Sequence, residues 1–481
     1  MEKESSVNCA LCVDLDGTLV KTDLLWESLC RALKNNPLVL VLLPFWLARG
    51  IAHLKLRLAE RAQIDYGRLP YNTEILEYIK CQPASRKIIL CTGSHKLLAD
   101  RISKHLGIFD AVFATENTVN FTGSNKAKKL VENFGEREFD YIGNERKDYS
   151  IWAVARKALV VSSSNKFIAE ARSRFEVETA FKMPAPDIRL IMKTLRVHQW
   201  VKNLLIFVPL ILDGRVFDYG AFAATLAAFF AFSFVASATY ILNDFLDLDS
   251  DRAHVKKCHR PFAAGRISIA TGCALIVVFL LAGLLLCLAT LPFLYLLVLA
   301  VYIVCTLLYS FKLKTVAMLD VCLLAGLYTI RVIAGTIAIS AGWSFWLLAF
   351  AMFLFMSLAL VKRSSELYNL AASGGLWAKG RGYHVDDLPL INAMGVASGF
   401  VSVLVVALYI NSEKVTINYA QPEMLWVVCP SLLYWISRIW LVTSRGGMNE
   451  DPILFAIRDR ISWILALVCF ATINISVYIM G

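Results

Sequence analysis

Two acidic segments in this sequence have the residue types and spacing for chemistry. The first is Val13-Asp14-Leu15-Asp16-Gly17-Thr18. Carboxylates at i and i+2 leaving a strand point the same way, and Gly17 permits a sharp turn behind them. One carboxylate can attack phosphorus while the other gives and takes a proton. A magnesium ion would neutralise the phosphate and the nucleophile together. The second segment is Asn243-Asp244-Phe-Leu-Asp247-Leu-Asp-Ser-Asp251-Arg252, at the end of a long apolar run. On a continuing helix Asn243, Asp247 and Asp251 share one face. Stacked carboxylates repel unless a cation lies between them, and an all-oxygen set of this kind suits Mg²⁺. Lys256, Lys257 and Arg260 follow closely and read as phosphate-seeking.

Further polar residues sit in or beside the apolar runs. Arg196-Val-His-Gln-Trp-Val-Lys202-Asn203 opens the first, and Tyr309-Ser-Phe-Lys312-Leu-Lys314 closes the fourth. Asp320 and Arg331 lie inside the fifth. Lys362-Arg363-Ser-Ser-Glu366 leaves the sixth, followed by Arg381-Gly-Tyr383-His384-Val-Asp386-Asp387. An arginine within a membrane is costly and usually faces a polar cavity or a partner. Asp320 and Arg331 are about three helical turns apart, on one face but too distant for direct contact. Arg331 therefore reads as an anion site, with an ion pair to Asp320 as the structural alternative. His384 reads as a polar loop residue or a base.

The elements that must hold these residues fall into two halves. The chain has 481 residues, 57% hydrophobic and 18% charged, with a mean hydropathy of +0.57. This excludes an ordinary soluble enzyme along the whole length, and it excludes disorder. The net charge of +11 points to anionic lipid or phosphorylated substrates rather than nucleic acid. Most of the twelve cysteines lie in apolar runs and read as small hydrophobes. Cys9-Ala-Leu-Cys12 has no second pair and reads as a buried strand. The opening MEKESSVN lacks the pattern of a cleavable leader.

Up to about residue 185 strand-like runs (Ala10–Leu15, Lys87–Thr92, Phe139–Gly143, Ala158–Ser162) alternate with helical stretches, as in a parallel α/β sheet. Pro37–Ala48 is very apolar but too short to span, and Pro44 interrupts it. It reads as a buried or membrane-touching helix in an insertion after the first strand. Lys182-Met-Pro-Ala-Pro-Asp187 reads as a linker. Nine apolar runs follow, about 197–212, 221–243, 267–289, 292–309, 316–340, 344–362, 389–410, 424–442 and 461–480. Most reach the ~20 residues that crossing hydrocarbon takes. With the first half cytoplasmic, the inside loops carry Arg252, Lys256, Lys257, Arg260, Arg266, Lys312, Lys314, Arg363, Lys379, Arg381, Arg445, Arg458 and Arg460. The outside loops carry chiefly Arg215 and Lys414. This positive-inside asymmetry predicts nine spans with the C-terminus outside.

The first half resembles the haloacid dehalogenase (HAD) superfamily over about residues 8–175. Asp-x-Asp-Gly-Thr after a strand is followed in order by Leu90-Cys-Thr92-Gly-Ser, by Lys126 in Asn-Lys-Ala-Lys-Lys-Leu, and by Tyr141-Ile-Gly-Asn144-Glu-Arg-Lys-Asp148. The resemblance implies a Rossmann-like fold with a helical cap, Asp14 as nucleophile, Asp16 as acid/base, and Thr92 on the phosphoryl group. It also implies Lys126 as charge balance, with Lys128 as its rival, and Mg²⁺ held by Asp14, Asp16 and Asp148. Asn144 stands where the superfamily usually has Asp, which removes one negative charge beside the metal.

The second half, about 187–481, resembles the UbiA prenyltransferase superfamily through Asn-Asp-x-x-Asp-x-x-x-Asp. That implies an all-α polytopic fold with nine transmembrane helices. It also implies Mg²⁺ bridging a diphosphate and Asn243, Asp244, Asp247 and Asp251, with Asp247 and Asp251 catalytic. Lys362-Arg-Ser-Ser-Glu366 replaces the acidic second motif of ordinary members, and Asp386-Asp387 does not restore it. Together with Arg-x-x-Gln-Trp-x-Lys-Asn it resembles the decaprenyl-phosphate phosphoribosyltransferase branch. That branch transfers from phosphoribosyl diphosphate (PRPP) to a polyprenyl phosphate. The substrate-binding set this implies is Lys202, Asn203, Arg252, Lys257, Arg260, Tyr309, Lys312, Arg331, Lys362, Arg363, Glu366 and Tyr383.

The expected organisation is a HAD-like domain over 1–181, a linker and interfacial helix over 182–195, and a UbiA-like domain over 196–481. The expected setting is a bacterial inner membrane with both active sites cytoplasmic. PRPP, polyprenyl phosphate and membrane lipids are the expected partners, without nucleic acid, and a homo-oligomer is left open. The HAD domain would remove the 5-phosphate of the product. Two other readings stand beside this one: a polyprenyl transferase acting on an aromatic acceptor, and a transporter or lipid-binding protein with an inactive regulatory HAD module.

Overall fold

A computed structural model describes residues 9–116, 121–378, 380–412, 415, 419, 421–448 and 451–478. Lys379 and Lys414, counted above among the loop charges, lie outside them. The chain forms two compact units. The first runs to Leu195 and also takes in Ile241–Ile276; the second comprises Arg196–Tyr240 and Val277 onward. The second acidic segment thus packs with the first unit.

The first unit is built on six parallel strands: β1 (Ala10–Val13), β2 (Ile88–His95), β3 (Ala111–Thr115), β4 (Phe139–Gly143), β5 (Lys157–Ser162) and β6 (Val177–Lys182). Their order is β3-β2-β1-β4-β5-β6. Parallel strands need covered faces, so they read as continuous apolar runs. Alternate residues go to opposite faces. Leu11, Val13, Leu90, Ile142, Leu159 and Val161 fill one core, and Cys12, Ile89, Cys91, Tyr141 and Val160 fill the other. Cys9 and Cys12 are buried free thiols. Val13 pairs with both Leu90 and Ile142, so β1 is central and the chain leaves it in opposite directions. The crevice beyond the carboxyl ends of such strands is where α/β sheets place ligands, and Asp14 follows β1 there. The edge strands β3 and β6 were not among the four read from sequence.

The insertion after β1 forms three helices, α1 (Leu24–Asn35), α2 (Val39–Ala48) and α3 (Ile51–Arg61). Asp23 caps α1 by accepting from the Leu25 N–H at 2.8 Å. Ala32, Val39, Trp46 and Leu58 form the small core between the helices. Only Val39 and Trp46 of α2 are buried, so α2 is not the fully buried helix that was one of the two expectations.

The second unit is helical, and the chain is an integral membrane protein. Among the described residues, seven helical segments are long and apolar enough to cross a membrane: Tyr219–Leu246, Ile269–Thr290, Leu294–Phe311, Leu319–Ala338, Phe345–Ala372, Val385–Ile410 and Pro422–Ser444. The pair Ile188–Thr194 and Val197–Leu212, bent by 54°, would make eight. The expected nine spans are not confirmed among the described residues. In the first, Arg196 takes a left-handed conformation (φ 51°) and Val197–Phe207 winds as a 3₁₀ helix, so no straight helix forms. The ninth, Arg460–Ser476, is shorter than the other spans. Phe345–Ala372 continues past the expected end at residue 362, which puts Lys362, Arg363 and Glu366 inside a helix.

Candidate functional site

In the first unit β1, β2 and β4 converge on Asp14. The Asp14 N–H continues the β1–β4 ladder to the Ile142 carbonyl at 3.0 Å. Its carboxylate accepts from Lys126 Nζ at 2.7 Å and from the Thr18 hydroxyl at 3.3 Å. Lys126, buried on the helix Ser124–Phe134, also donates to the Tyr141 hydroxyl at 2.9 Å. That hydroxyl donates in turn to Asp148 at 3.2 Å. Lys126, not Lys128, is thus the site lysine. Asp16 accepts from the Thr92 hydroxyl at 3.1 Å, the Ser94 hydroxyl at 2.7 Å and the Leu24 N–H at 2.8 Å. Asp148 accepts from the backbone N–H groups of Asn144 and Glu145, each at 2.9 Å.

Gly17 has φ +74°, and a Cβ there would stand 2.2 Å from the Asn144 amide nitrogen. The turn therefore requires glycine for conformation and for space. Ser94 and Lys55 were not anticipated. Lys55 on α3 donates to the Gly93 carbonyl at 2.6 Å, and its pKa is lowered by burial against the pull of Asp16 and Asp23. A lysine reaching a neighbouring strand from an insertion has no local sequence signal.

Burial pushes the Asp14 pKa up to about 7; Lys126 opposes this, while Asp148 and Asp16 add to it. A nucleophilic carboxylate must be ionised, so a divalent cation fits the excess of negative charge here.

The second acidic segment differs from the continuous helix expected. The helix Tyr219–Leu246 stops, and Asp247 begins a short helix, Leu248–Arg252. The i to i+4 spacing survives the break: the Asp247 N–H donates to the Asn243 carbonyl at 3.0 Å, and the Asp251 N–H to the Asp247 carbonyl at 2.8 Å. Arg260 Nη1 bridges Asp251 (2.6 Å) and Asp244 (3.2 Å). Burial raises the Asp251 pKa, with Arg260 opposing. Arg260 supplies one positive charge between Asp244 and Asp251, while Asp244 and Asp247 add negative charge around Asp251.

Arg252 turns to a different partner. It donates to both oxygens of Glu27 on α1, at 2.6 and 3.2 Å, and to the Ala263 carbonyl at 3.0 Å. Arg31 of α1 meets Asp249 at 2.5 Å. Lys257 is exposed in the following turn.

Among the described residues no three His, Cys, Asp or Glu side chains converge into a closed metal cage. Mg²⁺ needs no such cage, since it keeps waters and phosphate oxygens as ligands. Oxygen donors of the kind it takes are at hand in both places: Asp14 feels the charge of Asp148 and Asp16, and Asp251 that of Asp244 and Asp247.

The second unit gathers cations. Asp451 receives Lys202 at 2.6 Å and Lys362 at 3.6 Å. Burial pushes the Asp451 pKa up, but Lys202 and Lys362 prevail and hold it at about 2. Arg331 donates to the Asn203 side chain at 2.8 Å and lies 5.1–5.6 Å over the rings of Phe232, Tyr302 and Tyr328. Arg331 does not pair with Asp320, as the helical spacing implied. Asp320 instead takes Arg363 at 2.6 Å, the Tyr383 hydroxyl at 2.6 Å and Arg381 at 3.6 Å. Arg363 also binds Glu366 and the Tyr309 hydroxyl. Lys312 stands exposed at the end of Leu294–Phe311.

Asp451 and Arg381 were not among the expected site residues. The signal available for Asp451 was its place before Pro452, an N-cap and N1 pair opening a helix. Among the described residues, five cations (Lys202, Arg331, Lys362, Arg363, Arg381) stand against three carboxylates (Asp320, Glu366, Asp451). The surplus suits an anion. A separate cavity of about 290 Å³ in this unit is lined mainly by apolar side chains, among them Val208, Leu347, Phe350, Leu425 and Ile473.

Residues 205–374 match the UbiA prenyltransferase family, and residues 11–150 match the haloacid dehalogenase-like hydrolases. A protein of Sinorhizobium fredii, y4nM, described as uncharacterized, is 38% identical over 95% of this chain and 88% of its own length. The decaprenyl-phosphate phosphoribosyltransferase of Mycolicibacterium smegmatis is 30% identical over 60% of this chain and 92% of its own. The solved structure of a UbiA homolog from Archaeoglobus fulgidus bound to GPP and Mg²⁺ aligns over 59% of this chain and 99% of its own. Its identity is 18% and the TM-score 0.45.

Proposed function

Because the chain belongs to the UbiA prenyltransferase family and carries a haloacid dehalogenase-like hydrolase domain ahead of it, we propose that it is a Mg²⁺-dependent polyprenyl-phosphate phosphoribosyltransferase fused to a phosphatase. The observation that carries this reading is the five-cation cluster around Arg331 and Arg363. It suits a donor with more phosphate than an allylic diphosphate. The ~30% identity to decaprenyl-phosphate phosphoribosyltransferases points the same way.

In this reading an oxygen of the lipid phosphate attacks the anomeric carbon of PRPP. The bond from that carbon to diphosphate breaks, and its electron pair leaves with the diphosphate. Mg²⁺ held by Asp247, Asp251 and their neighbours would supply charge neutralisation of the leaving group. Lys202, Arg331, Lys362 and Arg363 bind phosphates, with Asp451 and Asp320 fixing the direction of these long side chains. Preorganised cations of this kind are worth most where charge develops in the transition state. The apolar cavity suits a polyprenyl chain.

The product retains a 5-phosphate on ribose. In the HAD unit Asp14 attacks that phosphorus and Asp16 protonates the departing ribose oxygen. Asp16 then takes a proton from the water that releases the phosphate. Lys126 offsets the charge of Asp14 throughout. The basic loops support a cytoplasmic HAD unit in a bacterial inner membrane, with the C-terminus outside.

Binding of PRPP to the purified chain tests the donor assignment. Mg²⁺-dependent binding that is lost in Asp247→Ala and weakened in Arg331→Ala is expected. Unaltered PRPP binding in both variants would refute the assignment.

A further inference from the structure

The helix α2 has a surface that no aqueous protein exterior needs. Lys34 precedes the segment and Arg49 follows it, with no charged residue between. Val39 and Trp46 pack inward against α1 and α3, with Leu43 beside them. The Arg61 guanidinium closes over Trp46 at 4.8 Å from the ring centroid. The remaining large side chains point out: Leu38 is 68% exposed, Leu40 60%, Val41 63%, Phe45 67% and Leu47 55%.

At 3.6 residues per turn, Val39, Leu43 and Trp46 occupy one narrow side of the helix, and the exposed apolar residues occupy nearly all of the rest. A protein partner covers one face of a helix. Apolar side chains around most of the circumference belong in a large core or in a membrane, and no core of this unit surrounds them. Ten residues rise about 15 Å, half the hydrocarbon thickness, so the helix cannot cross. The chain's own spans hold it at a bilayer. The cations at the two ends of the segment, Lys34 and Arg49, match anionic headgroups.

We propose that α2 is a monotopic membrane insert through which the HAD unit embeds in the acyl region of the bilayer. α1 and α3 carry it, and the same insertion carries Lys55 to the Gly93 carbonyl beside Asp16. Membrane insertion would thus hold the helices from which Lys55 reaches the end of β2 beside Asp16. This does not depend on the reaction proposed above.

The test uses the full chain in nanodiscs of phosphatidylethanolamine and phosphatidylglycerol. A benzophenone amino acid at Val41 or Phe45 is expected to give a peptide carrying lipid mass after irradiation, while the same group at Glu77, exposed on the same unit, gives none. Cross-links only to a second copy of the chain, or no lipid adduct at either position, would overturn the proposal. Hydroxyl-radical footprinting of the unmodified chain guards against a disturbed fold. Phe45 should be shielded while Leu97, 40% exposed on the same unit, is oxidised. Oxidation of Phe45 at the rate its exposure dictates would also overturn it.

Discussion

Glu27→Gln removes one charge from a neutral quartet, Glu27, Arg31, Asp249 and Arg252, of which only the Asp249 side chain is partly exposed. Glu27 is fully buried, its oxygens taking Arg252 at 2.6 and 3.2 Å, with Arg31 at 3.4 Å. The variant leaves two largely buried guanidinium groups facing the single carboxylate of Asp249, which holds Arg31 at 2.5 Å. Breaking a buried pair by removing one partner costs about 3–5 kcal/mol. The amide oxygen still accepts one hydrogen bond, so about 3 kcal/mol is expected. For a unit of this size each kcal/mol lowers Tm by about 2–4 °C, so a drop of roughly 6–12 °C follows. Intrinsic fluorescence melting of the full chain reads it, since Trp26 neighbours Glu27 on α1. The double variant Glu27→Gln/Arg252→Gln restores neutrality and should melt above the single variant. A shift within 2 °C for Glu27→Gln, or a double variant melting no higher, would refute the view that this quartet holds the Asp247–Asp251 segment to α1.

Three further outcomes follow from the geometry. Lys126→Ala leaves Asp14 and Asp148 without their shared cation; hydrolysis of p-nitrophenyl phosphate should fall by about 10²–10³-fold, read as a steady-state rate. Gly17→Ala introduces a Cβ 2.2 Å from the Asn144 amide at φ +74°; its cost in strain is about 1–3 kcal/mol, and phosphatase activity should be lost before the unit's helical circular dichroism changes. Asp451 is held at a pKa of about 2, below its unfolded value. Its stabilisation is therefore present above about pH 4 and lost as pH falls toward 2, amounting to about 2 kcal/mol. Acid melting curves should show this in the wild type and lose it in Asp451→Asn.

What the sequence disclosed and what it hid have physical causes. The strand before Asp14 was legible because burial on both faces writes a continuous apolar run, and the long helices because a helix facing hydrocarbon needs about 20 apolar residues. β3 and β6 were missed because they are edge strands, only partly buried. Asp14, Asp16, Thr92, Lys126 and Asp148 come together because the turn after β1, the end of β2, the helix Ser124–Phe134 and the turn after β4 bring them there. Partners set by tertiary packing left no trace: Glu27 on Arg252, Lys55 near Asp16, and Asp451 between two lysines. Arg252 read as a phosphate ligand because of its place after Asp251, yet a short helix of 3.6-residue period turns positions 249 and 252 toward α1.

Transfer of phosphoribose to a lipid phosphate can be read by mass spectrometry of the lipid after the purified chain is incubated with PRPP, polyprenyl phosphate and Mg²⁺. The lipid should gain ribose in the wild type, ribose phosphate in Asp14→Asn, and nothing in Asp247→Ala. No sugar-bearing lipid from any of the three, alongside activity on a polyprenyl diphosphate with an aromatic acceptor, would contradict that transfer.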